Sequence, residues 1–169
     1  MMLVPRLARV LALLLALGAA ACVDKLEIVE QTTQGPTAWD VLGARSLSVN
    51  GREPSFDEKR YWDTQVETRI AKYLREHPEL EQSPRYTEFR FWRQVAPGAT
   101  RSEVEVLLEE PQEQTIDNAL MAMLAERHWT DLERKAKEAW VYYDWVIYFD
   151  DVSVVGMVRR VSRLDPRYD

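Results

Sequence analysis

The first 21 residues constrain this chain more than any other feature, because they carry the marks of a segment removed before the rest folds. Arg6 and Arg9 form a positive n-region, residues 10–17 a run of Leu, Ala and Val, and residues 18–21 a small-residue cleavage zone. That is the order of a secretory signal. The uncharged stretch 10–23 ahead of Asp24 has only 14 residues, short of the roughly 20 needed to cross a bilayer as a helix. A permanent span is therefore not expected. What remains suits one modest domain and a tether. Hydrophobic residues make up 46% of the chain and six are Trp, so a segment of about 110 residues can bury a core without disulfide or metal.

Cys22 directly follows Ala19, Ala20 and Ala21, and this stretch resembles the bacterial lipobox, whose cysteine receives diacylglycerol. The lipobox prefers Leu three places before the cysteine, where this chain has Ala19 and its nearest Leu is Leu17. The alternative is a plain signal peptide cut near Ala21, leaving a free thiol. Cys22 is the only cysteine, so no intramolecular disulfide can form, and lipidation accounts for a lone cysteine in an oxidising compartment better than a bare thiol does. Acyl chains contributing about 0.8 kcal/mol per buried methylene would anchor the chain stably. With Val23 at the second mature position and Asp24 at the third, resemblance to Gram-negative lipoprotein sorting implies the outer membrane, facing the periplasm, with the inner membrane as the alternative. Cleavage takes Arg6 and Arg9 from the 22 basic residues, leaving 20 against 28 acidic ones, a formal charge of −8. Such acidity argues against a nucleic-acid partner and against polybasic attachment to lipid.

Residues 22–54 read as a lipidated N-terminus and tether. If flexible they span on the order of 30 Å, with Trp39, Val41 and Leu42 available as a short arm on the domain. The domain itself is expected over 55–163, with a tail at 164–169. Ser55 and Glu58 form a capping box before a stripe of Trp62, Val66, Ile70 and Leu74. A second helix is expected from Ser83-Pro84, with Tyr86, Phe89 and residues 92–95 inward, up to Pro97-Gly98. A second capping box, Thr100 with Glu103, opens a third helix carrying Val104, Leu107 and Leu108 and stopped by Pro111. Ile116, Leu120, Met123 and Leu124 continue at helical spacing, and a further capping box, Thr130 with Glu133, suggests a break and restart near Trp129. From residue 139 to 161 the chain turns β-branched and aromatic, with a turn at Asp150-Asp151 and another, or one long strand, at Asp144. Helices first and strands last predict an α+β fold, N-terminal helices packed on a small C-terminal antiparallel sheet of two to three strands.

The run Gln94, Val95, Ala96, Pro97, Gly98, Ala99, Thr100, then Glu103, Val104, Leu107, Leu108 and Pro111, resembles the SmpA/OmlA family of small outer-membrane lipoproteins. Trp140, Tyr142, Phe149 and Asp150 match its later landmarks, so the resemblance covers residues 94–158. It implies two helices on a three-stranded antiparallel sheet and a periplasm-facing interaction module that supports barrel-assembly machinery. The same αα-βββ shape resembles the repeat unit of β-lactamase-inhibitor-like proteins, which leaves an inhibitor-like binder of a periplasmic enzyme as an alternative. Three departures stand out. Ala99 replaces a family Met, Glu109 replaces a Gly that would ease the helix end into a left-handed conformation, and 28 residues lie between Pro111 and Trp140.

Motifs for catalysis are sparse. The chain lacks a nucleophile elbow, a Ser-x-x-Lys motif, a P-loop and a dinucleotide fingerprint, so neither a cofactor nor enzymatic activity is expected. His77 sits at a helix end, where a cation suits the dipole. His128 with Asp131 and Glu133 has too few ligands for a metal site, so no metal is expected. The candidate binding surface is instead Trp145 and Tyr148 with Arg159, Arg160 and Arg163. If one sheet face is uncovered, the aromatics with Val146 form an apolar patch; otherwise they are core. The leading expectation is a non-enzymatic, membrane-anchored module that binds another envelope protein. Its rival is an envelope hydrolase or cell-wall-modifying enzyme.

Overall fold

A computed structural model describes residues 27–162; Cys22, the leader, Arg163 and residues 164–169 lie outside the described residues. The centre is β4, Trp145–Phe149, in which all five side chains are buried. A strand buried at every position needs cover on both faces, and that requirement organises the rest.

Antiparallel neighbours flank β4. On one side β3, Glu138–Tyr142, pairs Trp140 with Ile147 and Ala139 with Tyr148, and on the other β5, Val154–Ser162, pairs Met157 with Ile147 and Val158 with Val146. Tyr143 at φ 54° and Asp144 make the β3–β4 turn. In the β4–β5 turn the Asp150 carboxylate accepts from the backbone N–H groups of Ser153 and Val152, at 2.7 and 2.8 Å. Those two bonds, Ser153 first, hold the Asp150 carboxyl below its ordinary range.

The sheet does not stop at these three strands. Its order is β1-β5-β4-β3-β2, with β1 at Glu27–Thr32 and β2 at Glu113–Thr115. The expectation of a C-terminal sheet of two to three strands is thus corrected: the antiparallel sheet has five, and two of them come from outside the C-terminal block. The physical reason lies at the edges. The outer backbone groups of β3 and β5 need partners, and the short polar β2 and β1, which buries Val29, supply them.

The helices are also distributed differently from the expectation, because they lie on both faces. One face carries Trp140, Tyr142, Trp145, Ile147, Phe149 and Met157 against α1 (Ala38–Asn50), α2 (Phe56–Glu76) and α3 (Arg101–Leu108). The other carries Ala139, Val146, Tyr148 and Val158 against α4 (Asn118–Ala125) and α5 (Trp129–Leu132). Gly156 lets that second layer close, since a Cβ there would collide with the Leu132 side chain. Residues 29–161 form one compact unit.

Two of the three expected capping boxes are present, Ser55 with Glu58 on α2 and Thr100 with Glu103 on α3. Hydrogen bonds from Arg52 and then Ser55 hold the Glu58 carboxyl down at about 2. Other expectations need correction. Residues 27–50, read as tether, hold β1 and α1, the latter opened by a third box, Thr37 with Asp40, and buried through Val41 and Leu42. The second expected helix shrinks to a π-helical turn, Glu88–Trp92, closed by Arg93 at φ 51°. Phe89 and Val95 are buried there, whereas Trp92 is 62% exposed. In α4 the inward face is Met121 and Leu124, and Met123 and the preceding Ile116 point out. The restart expected at Thr130 is a single turn without a side-chain cap.

Candidate binding cleft at a strained helix end

The C-terminus of α3 departs from ordinary backbone geometry. Glu109 has φ 66° and ψ −162°, a region that essentially only glycine occupies without strain, at a cost of about 1–3 kcal/mol. Three side chains from distant elements hold it there. Arg69 of α2 donates from Nη1 to Glu109 Oε1 at 2.8 Å, Arg45 of α1 from Nη1 to Oε2 at 3.2 Å, and Tyr142 of β3 from its hydroxyl to the Glu109 carbonyl at 2.8 Å. Burial pushes the Tyr142 phenol well above its usual range, so it stays a donor. Arg69 also donates from Nε to the Val106 carbonyl at 2.9 Å.

Beside this knot lies an open cleft of about 480 Å³, walled by Val41 and Arg45 of α1, Leu108, Glu109 and Glu110 at the helix end, and Gln112, Tyr142 and Tyr143. Gln112 ties the floor together: its side-chain oxygen accepts from the Tyr143 N–H at 2.6 Å, and its own N–H donates to Val141. Tyr143 is itself at positive φ. Two strained non-glycine residues therefore border one cleft. Its carboxylate and guanidinium groups at Glu109 are paired with each other, leaving Glu110, an amide and phenol rings to meet a ligand.

The motif residues split into structural and cleft-facing sets. Gly98, at φ 81°, donates its N–H to the Val154 carbonyl at 2.8 Å. Thr100 and Glu103 cap α3, while Val104 and Leu107 are core. Trp140 and Phe149 pack ring to ring at 4.7 Å. Pro111 follows the helix end, half-buried. Leu108 and Tyr142 alone of this set reach the cleft.

Of the two alternatives for the candidate surface, its aromatics follow the second and are core. Trp145 is 6% exposed and Tyr148 is fully buried, because both sheet faces are covered. Arg159 donates from Nε to Asp144 at 3.1 Å and lies over the Trp145 ring, and Arg160 is half-buried on β5. His128 Nε2 sits 3.0 Å from the Val29 carbonyl, and Asp131 and Glu133 are exposed. Among the described residues no three potential metal ligands converge. His77 Nδ1 is 3.1 Å from Glu79 at the helix end.

Sequence reasoning missed Arg45, Gln112 and Tyr143. Arg45 lay in the presumed tether, and the other two carry no periodic signal. Glu109 was visible through the glycine it replaces.

The strain is testable. Glu109→Ala keeps the backbone conflict and loses two partly exposed ion pairs, each contributing about 0.5 kcal/mol. Glu109→Gly loses the same pairs but relieves the conflict. The glycine variant should unfold about 1–2 kcal/mol later than the alanine variant in urea, and equal midpoints would show that no strain resides there.

No protein-family model matches this chain, and neither a curated protein nor a solved structure does.

Proposed function

We propose that this chain is a lipid-anchored protein of the bacterial envelope whose domain binds a second envelope protein through the cleft at Glu109. The observation that carries the reading is the pair of strained residues on an open cleft, held by groups from three separate elements. Over-determined strain of this kind concentrates at ligand clamps. The leader and Cys22 supply the anchoring half of the proposal. The resemblance at residues 94–158 directs the search for the partner to barrel-assembly machinery in the outer membrane.

The position of the fold along the chain bears on reach. From Cys22 to Val29, where the compact unit begins, the path is at most about 25 Å fully extended. An anchored domain would therefore work close to the headgroups, and its partner should be a membrane-proximal surface.

Metabolic labelling with palmitate should mark the wild-type chain and vanish in Cys22→Ser; persistent label would remove the anchor from the proposal. For the cleft, a photo-crosslinking residue at Tyr143 should yield an adduct with one envelope protein, and the same residue at exposed Lys72 should not. Adducts of equal yield from both positions would sink the cleft as the binding face.

A further inference from the structure

A second cleft, beside the π-helical turn, carries a different chemistry. It encloses about 230 Å³ and is lined by Gln34, Thr87, Glu88, Trp92, Gln94 and Pro97, among others. Its wall is rigidly built. Gly35 donates to the Val95 carbonyl at 3.0 Å, Val95 donates to the Pro36 carbonyl at 3.0 Å, and the Gln94 side-chain amide donates to the Gly35 carbonyl at 2.9 Å. Gly35 is needed for this approach, since a Cβ would fall 2.7 Å from the Val95 oxygen.

The π-helical turn beside it and the Arg93 that closes it bear three charges, and only two are matched. Arg90 forks onto both Glu67 oxygens at 2.8 and 2.7 Å, and Arg93 bonds Glu67 at 3.1 Å and pairs with Asp63. Both cations are thereby drawn away onto α2. Glu88 is left without a donor among the described residues, and its Oε2 is a buried, unpartnered oxygen. Trp92, 62% exposed, lines the same cleft, and Phe91 next to it is 65% exposed. The Arg90 guanidinium already sits 5.8 Å from the Phe91 ring centre, so this turn seats guanidinium on aromatic carbon within the fold itself.

We propose that the cleft between Glu88 and Trp92 is a receptor for one arginine side chain of a partner protein. An unpaired carboxylate supplies an acceptor and a counter-charge for the guanidinium, and an indole face attracts the cation. The volume suits a single side chain and falls below the usual range for a drug-sized ligand. An acidic chain with a displaced carboxylate beside exposed rings is complementary to a basic partner segment. This inference rests on the binding-module reading for the partner's nature, but its site is separate from the cleft at Glu109.

The test uses the full chain in detergent, labelled with ¹⁵N at Trp, titrated with N-acetyl-arginine amide and, in parallel, with the neutral isostere N-acetyl-citrulline amide. The arginine compound should shift the Trp92 indole N–H saturably in the millimolar range, with citrulline at least tenfold weaker. Glu88→Gln should weaken the arginine compound at least tenfold. Trp92→Leu, at an exposed position where the fold is insensitive, should weaken it at least tenfold when followed at the Gln94 side-chain amide by ¹⁵N-Gln labelling. Equal response to arginine and citrulline, or no saturable shift at all, would overturn the proposal. The photo-crosslink from Tyr143 does not involve Glu88, so its survival in Glu88→Gln separates a failure here from a failure of the binding-module reading.

Discussion

Tyr148→Ala is expected to cost about 4 kcal/mol of folding stability and to lower the melting temperature by roughly 10–20 °C. The sequence alone allowed Tyr148 to be a docking residue on an open sheet face. In the structure it is fully buried, its ring meets Trp129 at 6.3 Å, and its hydroxyl donates to the Met121 carbonyl at 3.1 Å. Burial also raises its pKa well above the usual phenol range, so the hydroxyl remains a donor at any working pH. Removing the ring leaves a void between β4 and α4 that cannot collapse, because β4 is fixed on both sides by its ladders. Tyr148→Phe keeps the ring and loses only the bond, costing about 1 kcal/mol. Met123→Ala, on the exposed side of α4, should stay within about 0.5 kcal/mol of wild type. Circular-dichroism melts of the three variants decide the matter: a docking residue would leave Tyr148→Ala melting like wild type, and the second helical layer would then be misplaced.

What the sequence disclosed and what it hid follow from the range of the interactions. The strands β3 to β5 were legible because β-branched and aromatic residues cluster between turn residues, and the boxes at Ser55 and Thr100 because a cap is a three-residue event. The uninterrupted apolar run of β4 also signalled burial on both faces, a signal outweighed by the expectation of a one-sided small domain. Strands β1 and β2 were hidden because an edge strand's pairing depends on its neighbour rather than on its own pattern. Helix α1 was read as tether because its box, Thr37 with Asp40 after Gly35-Pro36, has Asp where Glu is usual. Trp92 fitted an inward stripe with Tyr86 and Phe89 until the left-handed Arg93 ended the turn and swung it outward. The cleft was least legible of all. Arg45, Arg69 and Tyr142 reach Glu109 across 64, 40 and 33 residues, separations that leave no local trace.

Glu103→Ala should be the most damaging change outside the hydrophobic clusters, at about 3 kcal/mol. The carboxylate is 4% exposed and serves two structures at once. It accepts from the Thr100 N–H at 2.9 Å, closing the capping box, and from Arg85 Nη2 at 3.1 and 3.3 Å. Its charge also suits the first turn of α3, where the helix dipole is positive. Without it, a guanidinium whose Nε already lacks a partner faces a buried helix end with no counter-charge. Glu103→Gln retains an acceptor for the box and should cost about half as much. A double-mutant cycle with Arg85→Ala should return a coupling of about 1–2 kcal/mol; strict additivity would assign the whole effect to the cap. The two ends of α3 can then be compared. Glu103 and Glu109 share no partner and lie about 9 Å apart along the helix, so the loss in Glu103→Ala and the relief in Glu109→Gly should add within about 0.5 kcal/mol. A larger discrepancy in urea unfolding would mean that the helix conveys strain from the cleft to its own capped start, and that ligand binding at Glu109 reaches the core through α3.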